Sequence, residues 1–154
     1  MEAAFQDLIP HNHCWGCGNL NPMGLQIKSY WDGDESVCTW TPEPRFMAGP
    51  THVLNGGIIA TLMDCHSLCT AMAAAYRAEG RSMDSEPLIW CVTASMSIRY
   101  LRPTPIDAPV HLRARVNEVE GKKTRLTCTL GSGVDTCATA EVLAVRVPGE
   151  WRGD

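Results

Sequence analysis

The chain has 154 residues, of which 45% are hydrophobic, and its formal net charge at pH 7 is −4. A chain of this length and composition can bury one continuous core, which predicts a single domain. Basic and acidic residues are mixed along the chain, so it lacks the dense basic stripe that binds nucleic acid, and we expect no nucleic-acid partner.

The N-terminal part of the chain predicts an irregular lead-in over residues 1–23. This segment is rich in His, Cys, Asn, Gly and Pro without periodicity, with a short helix near residues 5–9. Its first residues show no basic stretch followed by an apolar run, so no secretory signal is expected and the predicted location is cytoplasmic. The eight cysteines are therefore expected to be free thiols.

Two strand-like runs follow the lead-in. Residues 24–31 alternate apolar with polar side chains, and residues 36–41 are rich in β-branched and aromatic side chains. The turn-like residues 32–34 between them predict a β-hairpin. Residues 42–53 contain several prolines and are predicted to form a loop.

Residues 57–77 contain the longest apolar run and predict one helix. Apolar side chains occupy nearly every side of it, which indicates a helix enclosed by the rest of the fold. Asn55, Asp64 and His66 would put too many polar groups at membrane depth, so we expect a core helix and no membrane partner. Gly80 is typical of the residue just after a helix end.

Four more strand-like runs follow, over residues 90–100, 110–119, 124–130 and 136–147. In the first of them, even-numbered residues are expected to face one way and odd-numbered residues the other. The order of elements predicts an α+β fold, with an antiparallel β-sheet wrapped around one long central α-helix. The predicted domain spans residues 24–148, and residues 149–154 are predicted to form a frayed tail.

The predicted helix begins with a sequence suited to polarising a carbonyl group. Gly56 and Gly57 lack Cβ atoms, so a ligand oxygen can approach backbone N–H groups that are unpaired at the positive end of the helix dipole. This arrangement is typical of an oxyanion hole. Asn55 suits the N-cap position. The alternative is that the two glycines only permit tight packing of the helix against the sheet.

Asp64 is the one carboxylate within this helix, and burying it without a partner would be costly. It is a candidate nucleophile or general base; the alternative is a structural Asp satisfied by neighbouring hydroxyls such as Thr61 or Ser67. Asp64 lies eight residues beyond Gly56, about 12 Å along a helix axis. Both groups can act on one carbonyl only if Gly56 of one protomer faces the partner's Asp64, which predicts a homodimer with two shared sites.

Three segments carry a resemblance to a known family. Residues 55–64 (NGGIIATLMD) resemble the His-Gly-Gly-containing helix start of hotdog-fold acyl-CoA thioesterases of the PaaI-like, 4-hydroxybenzoyl-CoA thioesterase type, with Asn55 in place of the common His. Residues 98–103 (IRYLRP) resemble the family's strand end, and residues 14–18 (CWGCG) its lead-in. The resemblance implies a hotdog fold, dimers that often pair into tetramers, and hydrolysis of acyl-CoA, with coenzyme A as part of the substrate and no separate cofactor.

The resemblance also implies roles for residues. Gly56 would polarise the thioester oxygen through its N–H, with Asn55 and Gly57 beside it. The partner's Asp64 would attack the carbonyl or activate water, and Thr93 aligns with a hydroxyl that assists in some members. A loop amide found in some members is missing here, and His52 or Thr51 is the candidate substitute for contacting the substrate.

Two other functions compete with hydrolysis. One is a non-catalytic hotdog protein that binds acyl-CoA or another small ligand. The other is a zinc-stabilised interaction protein, with His11, His13, Cys14 and Cys17 as ligands. Two of these ligands crowd within a few residues and no second Cys-x-x-Cys follows, so we expect no metal. His66 cannot pair with the adjacent Cys65 on a helix and is expected to be a core or dimer-interface histidine.

Overall fold

The computed structural model describes residues 1–153, and over this range it contains one six-stranded sheet and one long helix. The helices are α1 (Phe5–Leu8) and α2 (Gly56–Ala78), with short 3₁₀ helices at Pro44–Phe46 and Gly149–Arg152. The strands β1 to β6 are Ser29–Asp32, Glu35–Trp40, Trp90–Tyr100, Val110–Glu120, Lys123–Ser132 and Asp135–Val147. All neighbours pair antiparallel in the order β1-β2-β4-β5-β6-β3, so β1 and β3 are the edges.

The helix α2 begins and ends close to the positions that the sequence predicts. The Asn55 side chain accepts hydrogen bonds from the N–H groups of Gly57 at 2.8 Å and Ile58 at 3.3 Å, which confirms the predicted N-cap. The helix ends before Gly80, which has a positive φ of 65° and donates its N–H to Arg77 O at 3.1 Å.

The sheet curves around α2, which confirms the predicted α+β architecture. Side chains of α2 such as Leu62, Met63 and Cys69 are completely buried against the strands. The helix is long and apolar enough to span a membrane, but 67% of its most apolar window is buried inside the fold. It is therefore packed as a core helix.

The first predicted strand was too long. Of the predicted run 24–31, only residues 29–31 belong to β1, which extends to Asp32, because preceding residues pair with the lead-in. Leu25 N–H donates to Trp15 O at 2.9 Å, and Ile27 N–H donates to Gly16 O at 3.4 Å. Gln26 has a positive φ of 50°, which interrupts an extended strand. The apolar alternation reflects the burial of Leu25 and Ile27 but not membership of the sheet.

The prediction of strict alternation along β3 was also wrong. The register of β3 against β6 shifts between Thr93 and Ser95, so Ala94 forms a β-bulge. Because side chains alternate along a strand, one extra residue reverses which positions, odd or even, face the core. Before the bulge the odd-numbered Cys91 is buried, and after it the even-numbered Met96 and Ile98 are the more buried residues.

The two ends of the chain pack against each other. Arg152, in the tail that we expected to fray, stacks its guanidinium on the ring of Trp90 at 4.4 Å and donates to Pro10 O at 3.1 Å. Asp154, the last residue of that predicted tail, lies outside the described residues. Phe5 and Ile9 of the lead-in are buried in the core.

Candidate functional site

The carboxylate of Asp64 lies where the middle of α2 faces β3. Asp64 is half-buried, and its Oδ1 accepts a hydrogen bond from the Thr93 hydroxyl at 2.5 Å. Burial raises the pKa of Asp64; the Thr93 hydrogen bond opposes this rise, and the nearby Cys17 adds to it. The site therefore holds a carboxylate in surroundings that disfavour its charge, as expected for a base or nucleophile.

Asp64 stands in the wall of a largely apolar cleft of about 210 Å³. The cleft lies between α2, the start of β3 and the lead-in, and its lining residues are Cys14, Cys17, Asp64, Cys65, Leu68, Cys69, Met72, Trp90, Cys91, Val92 and Thr93. Asp64 is the one carboxylate among them. A wider depression of about 400 Å³ lies elsewhere, on β3 to β6, and is lined largely by exposed strand residues.

Neither of the two α2 hydroxyls suggested as partners, Thr61 and Ser67, bonds Asp64. The Thr61 hydroxyl donates to Gly57 O at 3.0 Å, and Ser67 is buried beside the Cys128 thiol. The partner of Asp64 is Thr93, the hydroxyl singled out in the sequence. Thr93 occupies Oδ1, and across residues 1–153 the second carboxylate oxygen accepts no hydrogen bond.

At the start of α2, contacts within the chain explain why residue 57 is glycine but not why residue 56 is. A Cβ on Gly57 would lie 3.0 Å from Asn55 Oδ1, so glycine there is explained by the N-cap. A Cβ on Gly56 would make only ordinary contact with the Tyr100 ring, at 3.5 Å. Packing within the chain therefore does not explain Gly56. Across residues 1–153 its N–H has no acceptor, while its carbonyl accepts from the Tyr100 hydroxyl at 2.8 Å.

The helix start and the Asp64 cleft are separate places in one protomer. His52, Asn55, Gly56 and Gly57 are not among the residues that line the cleft. The helix runs unbroken from Gly56 through Asp64, which keeps the two about 12 Å apart along its axis. His52 is exposed in the preceding loop, where its carbonyl accepts from Ile106 N–H at 3.0 Å. Tyr100, whose hydroxyl contacts the helix start, was not predicted as a site residue, although it lies in the segment 98–103 that resembles the family's strand end.

His66 is a core histidine. It is completely buried, its Nδ1 is 2.8 Å from Ser29 Oγ, and its Nε2 is 3.1 Å from Ser36 Oγ. Burial lowers the pKa of His66 to about 4, so the ring is neutral at pH 7. Its hydrogen bonds are satisfied within the core, and it takes no part in the cleft.

Among the residues that line the cleft are four cysteines of the lead-in and α2, a feature that the sequence did not predict. The sulfur atoms of Cys14, Cys17 and Cys65 lie within 4.8 Å of one another. Cys69 lies outside this close group of three, but it lines the same cleft and neighbours Cys17. The pKa of Cys17 is lowered by hydrogen bonds, the largest from Cys14, and that of Cys65 is raised by the same neighbour. All eight cysteines are free, as expected. His11 and His13 do not belong to this group.

Comparisons with known proteins define the family. The sequence model of the thioesterase superfamily matches residues 51–139. This range includes α2 and also β3, the strand that contributes Thr93 to the cleft. The chain therefore belongs to the thioesterase superfamily. A thioesterase superfamily protein from Shewanella loihica PV-4 has 32% identity and a TM-score of 0.68, covering 90% of this chain and 96% of that one. The hotdog fold implied by the resemblance is confirmed.

One more distant solved structure agrees in fold, and two curated proteins match in sequence. The PaaI protein of the E. coli phenylacetic acid degradation operon has a TM-score of 0.65 at 17% identity, over 81% of this chain and 82% of that one. Acyl-coenzyme A thioesterase THEM4 of Xenopus laevis is 28% identical over 80% of this chain and 50% of its own length. Acyl-coenzyme A thioesterase THEM4 of Bos taurus is 26% identical over 71% of this chain and 40% of its own length. The chain thus spans half or less of these curated relatives.

Proposed function

We propose that the chain is an acyl-CoA thioesterase whose active site is shared between two protomers. One observation carries the proposal: a half-buried carboxylate, Asp64, is held by Thr93 in an apolar cleft, while the unpaired N–H of Gly56 lies about 12 Å away on the same helix. The THEM4 relatives are named acyl-coenzyme A thioesterases, which supports acyl-CoA as the substrate class.

The chemistry follows from the two groups. The Gly56 N–H, at the positive end of α2, donates to the thioester oxygen and stabilises the negative charge that develops there. The partner's Asp64 either attacks the carbonyl carbon or removes a proton from the attacking water. If Asp64 attacks, an anhydride between the acyl group and Asp64 forms as the C–S bond breaks, and water then hydrolyses it; if water attacks, the C–S bond breaks as the free acid forms. In both routes the coenzyme A thiolate takes up a proton and leaves as the thiol, and the free acid is released. Thr93 fixes the carboxylate of Asp64 and is a positioning residue.

The strand β3 supports the shared arrangement. β3 is an eleven-residue edge strand, and a long uncovered edge favours pairing with another strand. Near its start Thr93 contacts Asp64, and at its end Tyr100 contacts Gly56. If two copies of β3 pair antiparallel around a centre between Met96 and Ser97, Thr93 lies opposite Tyr100 of the partner subunit. That pairing brings the Gly56 end of one protomer to the Asp64 cleft of the other.

A panel of acyl-CoA esters tests the activity. Purified chain is expected to release coenzyme A from at least one short, long or aromatic acyl-CoA, measured with a thiol reagent. Binding of the same esters by calorimetry provides the comparison. Tight binding without release of coenzyme A from any member of the panel would favour the non-catalytic ligand-binding function instead.

Two inactive variants test the sharing of the site. Gly56→Pro removes the N–H at the first helical position, where proline is tolerated and the preceding Asn55 already has a compatible ψ of 132°. Mixed with Asp64→Asn protein after reversible dissociation, it is expected to recover about a quarter of wild-type activity. Half of the dimers are mixed, and each of these has one intact site.

Each variant taken alone through the same procedure is the control. Both are expected to remain inactive and to elute at the size of the wild-type assembly. If the mixture shows only the sum of the two separate activities, Gly56 and Asp64 do not act across an interface, and the shared site is wrong.

A further inference from the structure

Four of the thiols that line the cleft come from two distant segments of the chain. Cys14 and Cys17 lie in the lead-in, outside the matched family region, and Cys65 and Cys69 lie one turn apart on the same face of α2. A zinc ion with four sulfur ligands at about 2.3 Å places its sulfur atoms about 3.8 Å apart. The distance between Cys14 Sγ and Cys65 Sγ is 3.7 Å.

The lead-in is shaped to bring its sulfur atoms to the helix. A Cβ on Gly16 would lie 2.3 Å from Cys65 Sγ, and a Cβ on Gly18 would lie 2.5 Å from Cys14 N. Only glycine at these two positions allows the loop to approach so closely. A hydrogen bond from Gly18 N–H to Cys14 O at 2.8 Å closes the loop of residues 14–18.

Polar donors also face the sulfur atoms. The Gly16 N–H donates to Cys14 Sγ at 3.4 Å, and Asn12 Nδ2 donates to Cys17 Sγ at 3.5 Å. Hydrogen bonds of this kind stabilise and orient thiolate ligands in metal sites. Asn12 is almost completely buried, and its Oδ1 in turn accepts from Cys14 N–H at 3.1 Å. The loop therefore has both the ligands and the supporting contacts of a metal site.

We propose that Cys14, Cys17, Cys65 and Cys69 bind one zinc ion or a similar soft divalent metal in a tetrathiolate site. Sulfur ligands in a tetrahedral arrangement favour zinc over magnesium or calcium. Each coordinating thiol releases its proton to solvent, and no oxidation or reduction is involved. This proposal differs from the expectation of no metal. The two further ligands are Cys65 and Cys69 from α2, and not His11 and His13, which the sequence suggested.

Bound metal would fasten the lead-in to α2 next to Asp64. Cys14 and Cys17 line the same cleft as Asp64, so the metal-bound loop forms one wall of it. The proposal concerns metal binding and structure, and it holds whether or not the chain hydrolyses thioesters.

Metal analysis of the full chain tests the site. Chain purified under reducing conditions and supplied with zinc is expected to retain one zinc per protomer after gel filtration. Cobalt(II) in place of zinc is expected to give thiolate-to-cobalt charge-transfer bands and the intense visible bands of tetrahedral coordination. Cys14→Ala and Cys65→Ala are expected to lose both signals. Cys137→Ala, a buried cysteine on β6 outside the group, is the matched control and is expected to keep them.

Two further measurements cover variants that fail to fold. Zinc is expected to raise the unfolding temperature of the wild-type chain and to protect the exposed Cys14 from alkylation. In Cys69→Ala, cobalt is expected to bind more weakly and with altered visible bands, because the three thiols that lie within 4.8 Å of one another remain and water replaces the fourth thiolate. The proposal is overturned if the reduced wild-type chain takes up no stoichiometric zinc or cobalt. It is also overturned if Cys14→Ala binds as the wild type does, or if Cys14 and Cys65 form a disulfide and the reduced chain binds no metal.

Discussion

Asp64→Asn protein is expected to hydrolyse acyl-CoA with a kcat/KM at least ~100-fold below that of the wild type, because a general base contributes about 10²–10⁴ in rate. The amide has the shape of the carboxylate, and its oxygen can still accept the hydrogen bond from Thr93. The substitution therefore removes the charge and the basicity but keeps the contact. Steady-state kinetics on the best substrate of the acyl-CoA panel provides the measurement.

The thermal stability of the variant separates chemistry from folding. Burial raises the pKa of Asp64, which means that the fold disfavours the charged carboxylate. Asp64→Asn is accordingly expected to unfold at the same temperature as the wild type or above it. Asp34→Asn, in the exposed turn between β1 and β2, is the matched control and should leave activity unchanged. Full hydrolysis by Asp64→Asn protein would exclude Asp64 as base and nucleophile.

Local signals in the sequence were enough to predict the elements. The predicted strand at residues 90–100 has the same bounds as β3, and the predicted helix differs from α2 by one residue at each end. The Asn55 cap and the positive φ of Gly80 act within a few residues, so they can be recognised without knowing the fold. The order of the elements then restricts how a sheet can cover one helix.

Contacts between distant segments were not predictable in the same way. The Ala94 bulge depends on how β3 pairs with β6, and β1 is short because residues 24–28 pair with the lead-in. Cys14 and Cys65 are 51 residues apart in sequence, and no periodicity relates them. Only the spacing of Cys65 and Cys69 on one helix face was a visible signal. The candidate site was therefore predictable for Asp64 and Thr93 but not for the thiols beside them.

His66→Phe is expected to destabilise the chain by about 2–4 kcal/mol, since it removes the ring's buried hydrogen bonds and leaves the Ser29 O–H without its acceptor. The hydrogen bonds around this ring have one consistent direction. Nε2 is 3.3 Å from Ser36 O, which can only accept, so Nε2 carries the proton and Nδ1 accepts from the Ser29 hydroxyl. Ser29 Oγ in turn accepts from Gln6 Nε2 at 2.9 Å. Urea unfolding at one fixed protein concentration measures the change.

A double-mutant cycle assigns that loss to the hydrogen bonds and not to the altered ring. Ser29→Ala and His66→Phe both remove the Ser29–His66 contact, so the double variant is expected to cost less than the sum of the two, by about 0.5–3 kcal/mol. His111→Phe is the matched control, because His111 bonds the Thr39 hydroxyl at 3.1 Å on the exposed face of the sheet. Its free energy of unfolding is expected to change by less than about 0.5 kcal/mol. Additive losses in the cycle would mean that the buried ring contributes through packing alone, and that α2 is joined to β1 without help from this contact.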